Sequence, residues 1–99
     1  MAEIVLLLAA EGDALSIHAR YEERRPGRGE IFTADLDHIL DLLREFPHLG
    51  PVFAGPFHRR KLSHRPYAVF YEVAGSRVIV HAILSDWECD HFIRRRLGL

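Results

Sequence analysis

The chain has 99 residues, room for one compact core and too little for two, so a single domain spanning residues 1–99 is expected. Hydrophobic residues make up 48% and charged residues 27%, which excludes a disordered chain, a collagen-like repeat and a disulfide scaffold. The formal net charge of −1, from 13 Lys and Arg against 14 Asp and Glu, removes the global basicity that would by itself point to nucleic acid.

Charge is nonetheless polarised along the chain. Met1 to Gly50 carries five Arg against ten acids, a balance of −5, and Pro51 to Leu99 carries eight basic residues against four acids, +4. Such asymmetry fits either an oriented surface field or two solvated faces of opposite sign. Cys89 is the only cysteine, so no internal disulfide can form and a reducing cytoplasm is the expected location. The opening apolar run, Ile4 to Ala10, falls far short of the about 20 residues that a membrane helix needs. Glu3 precedes that run where a secretion signal would be basic, so neither membrane association nor export is expected.

In chain order, Glu3 to Ala9 reads as a short buried strand. Gly12-Asp13 then opens an amphipathic helix running to about Arg24, with Leu15, Ile17, Ala19 and Tyr21 loosely periodic. Arg25-Pro26-Gly27-Arg28-Gly29 breaks the pattern. A second helix follows from Glu30 to Phe46, carrying Phe32, Leu36, Ile39, Leu40, Leu43 and Phe46 at three- and four-residue steps. Asp35, Asp37, Asp41 and Glu45 fall on its opposite side, a solvated face. Pro47 to Pro56 is a turn-rich connection, and three strands come after it: Phe57 to Leu62, Tyr67 to Ala74 and Val78 to Leu84. The last segment opens on Asp86 as an acidic cap, ends in Arg94-Arg95-Arg96 and stops at Gly98, which predicts a short C-terminal helix. The fold class is therefore α+β: an N-terminal strand, a two-helix hairpin, a three-stranded antiparallel meander and a short C-terminal helix.

The loop Gly75-Ser76 has two residues with Gly first, which suits a type II′ turn and pairs Ala74 with Arg77, Val73 with Val78 and Tyr71 with Val80. That register places Tyr67, Val69, Tyr71 and Val73 beside Val78, Val80, Ala82 and Leu84 on the face that packs against the helices. Ala68, Phe70 and Glu72 share the other face with Arg77, Ile79, His81 and Ile83. This mixed surface, more apolar than a solvent coat, is where function is expected to sit, and its exposure around Phe70, Ile79 and Ile83 would favour a homodimer in isolation.

Among the charged groups, His58-Arg59-Arg60-Lys61, with His64 and Arg65 beyond it, is the densest basic run. Strand alternation sends Arg59 and Lys61 one way and His58, Arg60 and His64 the other, so they cannot all line one site. Phosphate contacts and a charge-guarded sheet edge account for this run equally well. The seven histidines are scattered, and Asp86, Glu88, Cys89, Asp90 and His91 lack the paired-cysteine spacing of a zinc site. No metal and no cofactor are expected, and no glycine-rich phosphate loop is present.

Four phrases carry a resemblance that spans most of the chain. They are Tyr21-Glu22-Glu23-Arg24-Arg25-Pro26-Gly27-Arg28-Gly29, Phe46-Pro47-His48-Leu49-Gly50-Pro51, Arg65-Pro66-Tyr67-Ala68-Val69-Phe70-Tyr71-Glu72-Val73 and Ile93-Arg94-Arg95-Arg96-Leu97. In order and spacing the chain resembles the RelE/ParE superfamily of toxins from type II toxin-antitoxin modules, often labelled plasmid stabilisation proteins, and the long helical hairpin fits the ParE side. The resemblance implies a small toxin bound by a cognate antitoxin. ParE-type members act by binding DNA gyrase, whereas RelE-type members cut mRNA in the ribosome.

Matched to the family's positions, Arg59 falls at a basic position of the second meander strand and Tyr67 and Tyr71 at aromatic positions of the third. The family often reads His-x-Arg-Arg-Asp-Pro after the last strand, and here Ser85-Asp86-Trp87-Glu88-Cys89-Asp90 stands instead. Acids in place of cations oppose the charge stabilisation that a ribonuclease needs. The expected function is a ParE-like toxin that binds a target such as gyrase, with Arg59, Phe70, Ile79, His81, Trp87, Phe92, Arg94 and Arg95 as its target or partner contacts. The alternatives are a ribosome-dependent endoribonuclease using Arg59, Lys61, Arg77 and His81, and a non-toxic interaction protein of the same fold.

Overall fold

A computed structural model describes residues 1–63 and 66–99. His64 and Arg65, counted above with the basic run and at the head of the third family phrase, lie outside the described residues. In chain order the elements are β1 (Glu3–Leu6), α1 (Leu8–Arg24), α2 (Arg28–Glu45), β2 (Val52–Ala54), β3 (Phe57–Lys61), β4 (Tyr67–Ala74), β5 (Arg77–Ser85) and α3 (Asp90–Arg96). The strands form one sheet in the order β1-β5-β4-β3-β2. β1 runs parallel to β5, and every other neighbouring pair is antiparallel. The α+β class and the strand, helical hairpin, meander and C-terminal helix are those expected. β2 is an addition, inside the segment expected to hold only turns. Its three residues sit between Pro51 and Pro56 and pair irregularly with β3, too short a run to show a period.

At the N-terminus the strand is shorter and the helix longer than expected. Leu7 N–H donates to Val80 O at 3.1 Å as the last rung of the parallel ladder, because β5 bulges immediately beyond Val80. Ala9 and Ala10 are strong helix formers, so the chain turns into α1 at Leu8 and Asp13 lies in the helix rather than at its start. One face of the sheet packs on α1 and α2 through Ile17, Phe32, Leu36, Ile39 and Leu43, which meet Val69, Tyr71, Val78, Val80 and Ile83. Asp35, expected on a solvated face, is buried there and accepts the Ser63 N–H at 3.2 Å.

The turn between β4 and β5 has the expected register, with Ala74 opposite Arg77, Val73 opposite Val78 and Tyr71 opposite Val80. Gly75 takes φ 60° while no described non-glycine residue has a positive φ, as the first central position of a type II′ turn requires. Beyond Val80 the pairing slips by one, Phe70 facing Ala82 and His81 standing unpaired in a bulge. A slip of one residue reverses every later side chain. Ala82 and Leu84, expected beneath the helices, therefore lie on the opposite face with Phe57, Ala68 and Phe70. Ile83, expected on the open face, is buried in the helix-side core.

That opposite face is covered rather than open. Ile93 of α3 and Leu97 after it pack onto Phe57, Phe70 and Leu84, leaving Phe70 at 0% exposure. Of Phe70, Ile79 and Ile83, only Ile79 stays half-buried. Cys89, not Asp86, occupies the position before α3. Asp86 belongs to the turn after β5, where its N–H donates to Pro66 O at 2.7 Å and its carboxylate lies 3.6 Å from Lys61 Nζ. Arg96 anchors α3 by a two-pronged contact with Asp13, at 2.7 and 3.2 Å, and Asp13 also accepts the Ile83 N–H at 3.0 Å. No helix among the described residues is long and apolar enough to cross a membrane.

Candidate functional site

Where α1, the end of β5 and the approach to α3 meet, the surface opens into a groove. Its wider part, of about 530 Å³, is lined by Arg20, Tyr21 and Arg24 of α1, Arg28 at the start of α2, Pro66 and Tyr67, and Ser85, Trp87 and Glu88 after the last strand. Through Arg20, Tyr67, Ser85 and Glu88 it runs on into a narrower part of about 230 Å³, which reaches Asp13, Ser16, Ile83, Leu84, Phe92 and Arg96. One wall is thus helical and basic, the other aromatic. The length of α1 sets the first wall and the bulge in β5, by choosing which residues of that strand face the helices, shapes the floor.

Arg20 and Arg24 stand four residues apart on one side of α1, and Arg28 repeats the interval across the turn. Among the described residues none of these three guanidinium groups forms an ion pair. Tyr21, Phe32 and Tyr67 fix the floor by mutual ring contacts at 6.0 to 6.1 Å. Burial, with the neighbouring Tyr67, raises the Tyr21 pKa above its ordinary value, and Arg28 and Arg24 oppose that rise only in part. Its hydroxyl is a neutral hydrogen-bonding group at physiological pH. Trp87 is 84% exposed, and its backbone N–H is held by Ser85 Oγ at 3.0 Å. Guanidinium groups with no carboxylate partner among the described residues, set beside Trp and Tyr rings, suit a chain segment that offers both carboxylates and an apolar anchor.

Of the residues singled out from sequence, Trp87 and Phe92 line this groove. Tyr67 and Ile83 line it as well, and the remaining predicted contacts lie apart from it. Arg59 and Arg94 hold their guanidinium carbons 5.3 and 5.8 Å from the Phe53 ring centre, and Phe53 meets the buried Phe70 edge-on at 5.3 Å. Arg94 also donates to Asp90 at 2.6 Å, and Arg95 is exposed on the same helix. His81 donates from Nε2 to Glu72 Oε1 at 2.7 Å and packs edge-on against Phe57 at 4.9 Å. Ile79 pairs with Glu72 across the hairpin. Arg77 forms an ion pair with Glu3 at 3.0 Å at the start of β5. Lys61 lies at the other end, in register with Ala68 and Leu84, roughly 20 Å away at about 3.3 Å per residue. Arg59, Lys61, Arg77 and His81 therefore do not meet at one point.

Sequence reasoning did not single out Arg20, Arg24 and Arg28 as a set. Their four-residue spacing is visible in the chain, but Pro26-Gly27 interrupts the helix between them, and only the folded hairpin shows that the third continues the row.

A profile of the family described as the ParE toxin of type II toxin-antitoxin system, parDE, matches residues 4–86. The chain belongs to that family. A solved structure described as the chromosomal ParDE toxin-antitoxin system from P. aeruginosa superposes with a TM-score of 0.76 at 17% identity, covering 86% of this chain and 96% of that one. At that identity the likeness is one of fold. No curated protein matches the chain by sequence.

Proposed function

We propose that this ParE-family toxin acts by binding its target, DNA gyrase being the leading candidate, and that a cognate antitoxin neutralises it by laying an acidic segment with apolar anchors along the groove. The observation that carries this reading is the groove itself, with Arg20, Arg24 and Arg28, which form no ion pair among the described residues, facing Trp87 and Tyr67. Charge complementarity would speed and orient the encounter, while Trp87 and Phe92 supply apolar area. The dispersal of Arg59, Lys61, Arg77 and His81 supports binding over RNA cleavage, because a ribonuclease needs cations around one phosphate and a group to take the 2′-hydroxyl proton. Asp86 and Glu88 beside Trp87 weigh the same way.

On this reading the protein works in the cytoplasm, and residues 1–99 act as one unit. Self-association of the isolated toxin would use the outer side of α1, where Leu8 and Leu15 are exposed, since Phe70 and Ile83 are covered. The test is affinity for the cognate antitoxin. Arg24→Ala and Trp87→Ala should each weaken that complex, and Arg59→Ala should leave it unchanged. Equal affinity in all three would overturn the assignment of the groove.

A further inference from the structure

At the closed end of the helical hairpin, His18, Glu22 and Glu30 bring one ligand atom each to within 4.8 Å of one another. We infer that these three side chains form a binding site for a divalent first-row transition ion of the zinc type, clasping α1 to α2.

The geometry is built by the backbone. His18 and Glu22 are one helical turn apart on α1, and Glu30 comes from the first turn of α2. His18 Nε2 lies 3.2 Å from Glu30 Oε1 and 4.0 Å from Glu22 Oε1. Ligands on a tetrahedral zinc at about 2.0 to 2.1 Å stand roughly 3.3 Å from one another, so only small side-chain rotations separate this arrangement from a coordination shell. Gly29 permits the approach. A Cβ there would lie 2.7 Å from the His18 ring and 2.9 Å from Glu22 Cγ.

Glu22 is already oriented from behind. Gly29 N–H donates to its Oε1 at 3.1 Å and Gly27 N–H to its Oε2 at 3.0 Å, the kind of outer support that fixes a metal-bound carboxylate. An imidazole with two carboxylates selects a zinc-like ion over magnesium, which prefers oxygen donors alone, and leaves the fourth position for water. The ion would displace the proton through which His18 now bonds Glu30. Because its ligands come from both helices, it would also steady the hairpin whose Arg24 and Arg28 wall the groove.

The test is a zinc titration of the full chain, read by isothermal calorimetry and by Tm, with magnesium as the control ion. One zinc per chain and a rise in Tm are expected, both lost in His18→Ala and in Glu30→Gln and both kept in His38→Ala, while magnesium does nothing. His18 and Glu30 are on the surface, so circular dichroism should show all three variants folded. Absence of zinc binding to the unmodified chain would overturn the proposal. Zinc binding that survives His18→Ala would overturn it too, since the ion would then sit elsewhere, for instance at the exposed Cys89 and His91.

Discussion

The Asp13 carboxylate accepts hydrogen bonds from both terminal nitrogens of Arg96 and from the Ile83 amide, so its removal strands a guanidinium and a strand N–H together. Asp13→Ala should lower stability by about 2–3 kcal/mol, given hydrogen bonds to a charged group in a partly solvated site, measurable by urea denaturation. Trp87 is the converse case. Trp87→Ala should change stability by no more than about 0.5 kcal/mol yet cost about 2 kcal/mol in antitoxin binding, and calorimetry on the folded variant separates the two effects.

Tyr71 gives a pH signature. Its hydroxyl accepts the Gly50 N–H at 2.9 Å, and burial pushes its pKa above 10.0, against the smaller opposing effects of that hydrogen bond and of Arg60. The folded chain thus holds the phenolic proton more tightly than the unfolded one. The contribution is complete below the unfolded value near 10 and is lost as pH rises through the higher folded value. Tm should therefore fall above about pH 10. Tyr71→Phe should start lower, because the Gly50 N–H loses its acceptor, but decline less steeply over that interval. Burial acts on Tyr21 with the same sign.

Among the elements, α3 covers the second cluster with Ile93 as its one buried residue. Ile93→Ala removes a buried side chain from the small cluster over Phe57, Phe70 and Leu84 and should cost about 2–3 kcal/mol, visible as a lower urea midpoint. The same helix marks where sequence reasoning stopped. Local rules sufficed for α2, whose apolar stripe has a helical period, and for the β4–β5 turn, whose two residues dictate register over Tyr71 to Val80. They could not reach the bulge at His81, because no residue type there announces an extra unit in the strand. From that one slip followed the exchange of Ala82 and Leu84 with Ile83 and the end of β1 at Leu6, while the packing of α3 buries Phe70. In the groove, Trp87 and Phe92 were legible as aromatic partner contacts after the last strand. The arginine row was not, since it is assembled from two helices across Pro26 and Gly27.

At the scale of the whole molecule, charge summed along the chain proves a poor guide to charge in space. Arg20, Arg24 and Arg28 belong to the half whose balance is −5, yet they form the basic wall of the groove. Association with an acidic partner segment should accordingly slow as ionic strength rises, with less effect on dissociation, because steering acts on encounter. The dispersed positions of Arg59, Lys61, Arg77 and His81 make the same point for catalysis: four suitable residue types in one sheet do not constitute a site unless they converge. The proposed mode of action is binding and not the cutting of RNA. It is tested most directly by pulse-labelling new DNA and new protein in bacteria during the minutes after this chain is induced alone. A toxin that binds gyrase should stop DNA synthesis first while translation continues; translation failing first, or both continuing with folded protein present, would rule out that mode of action.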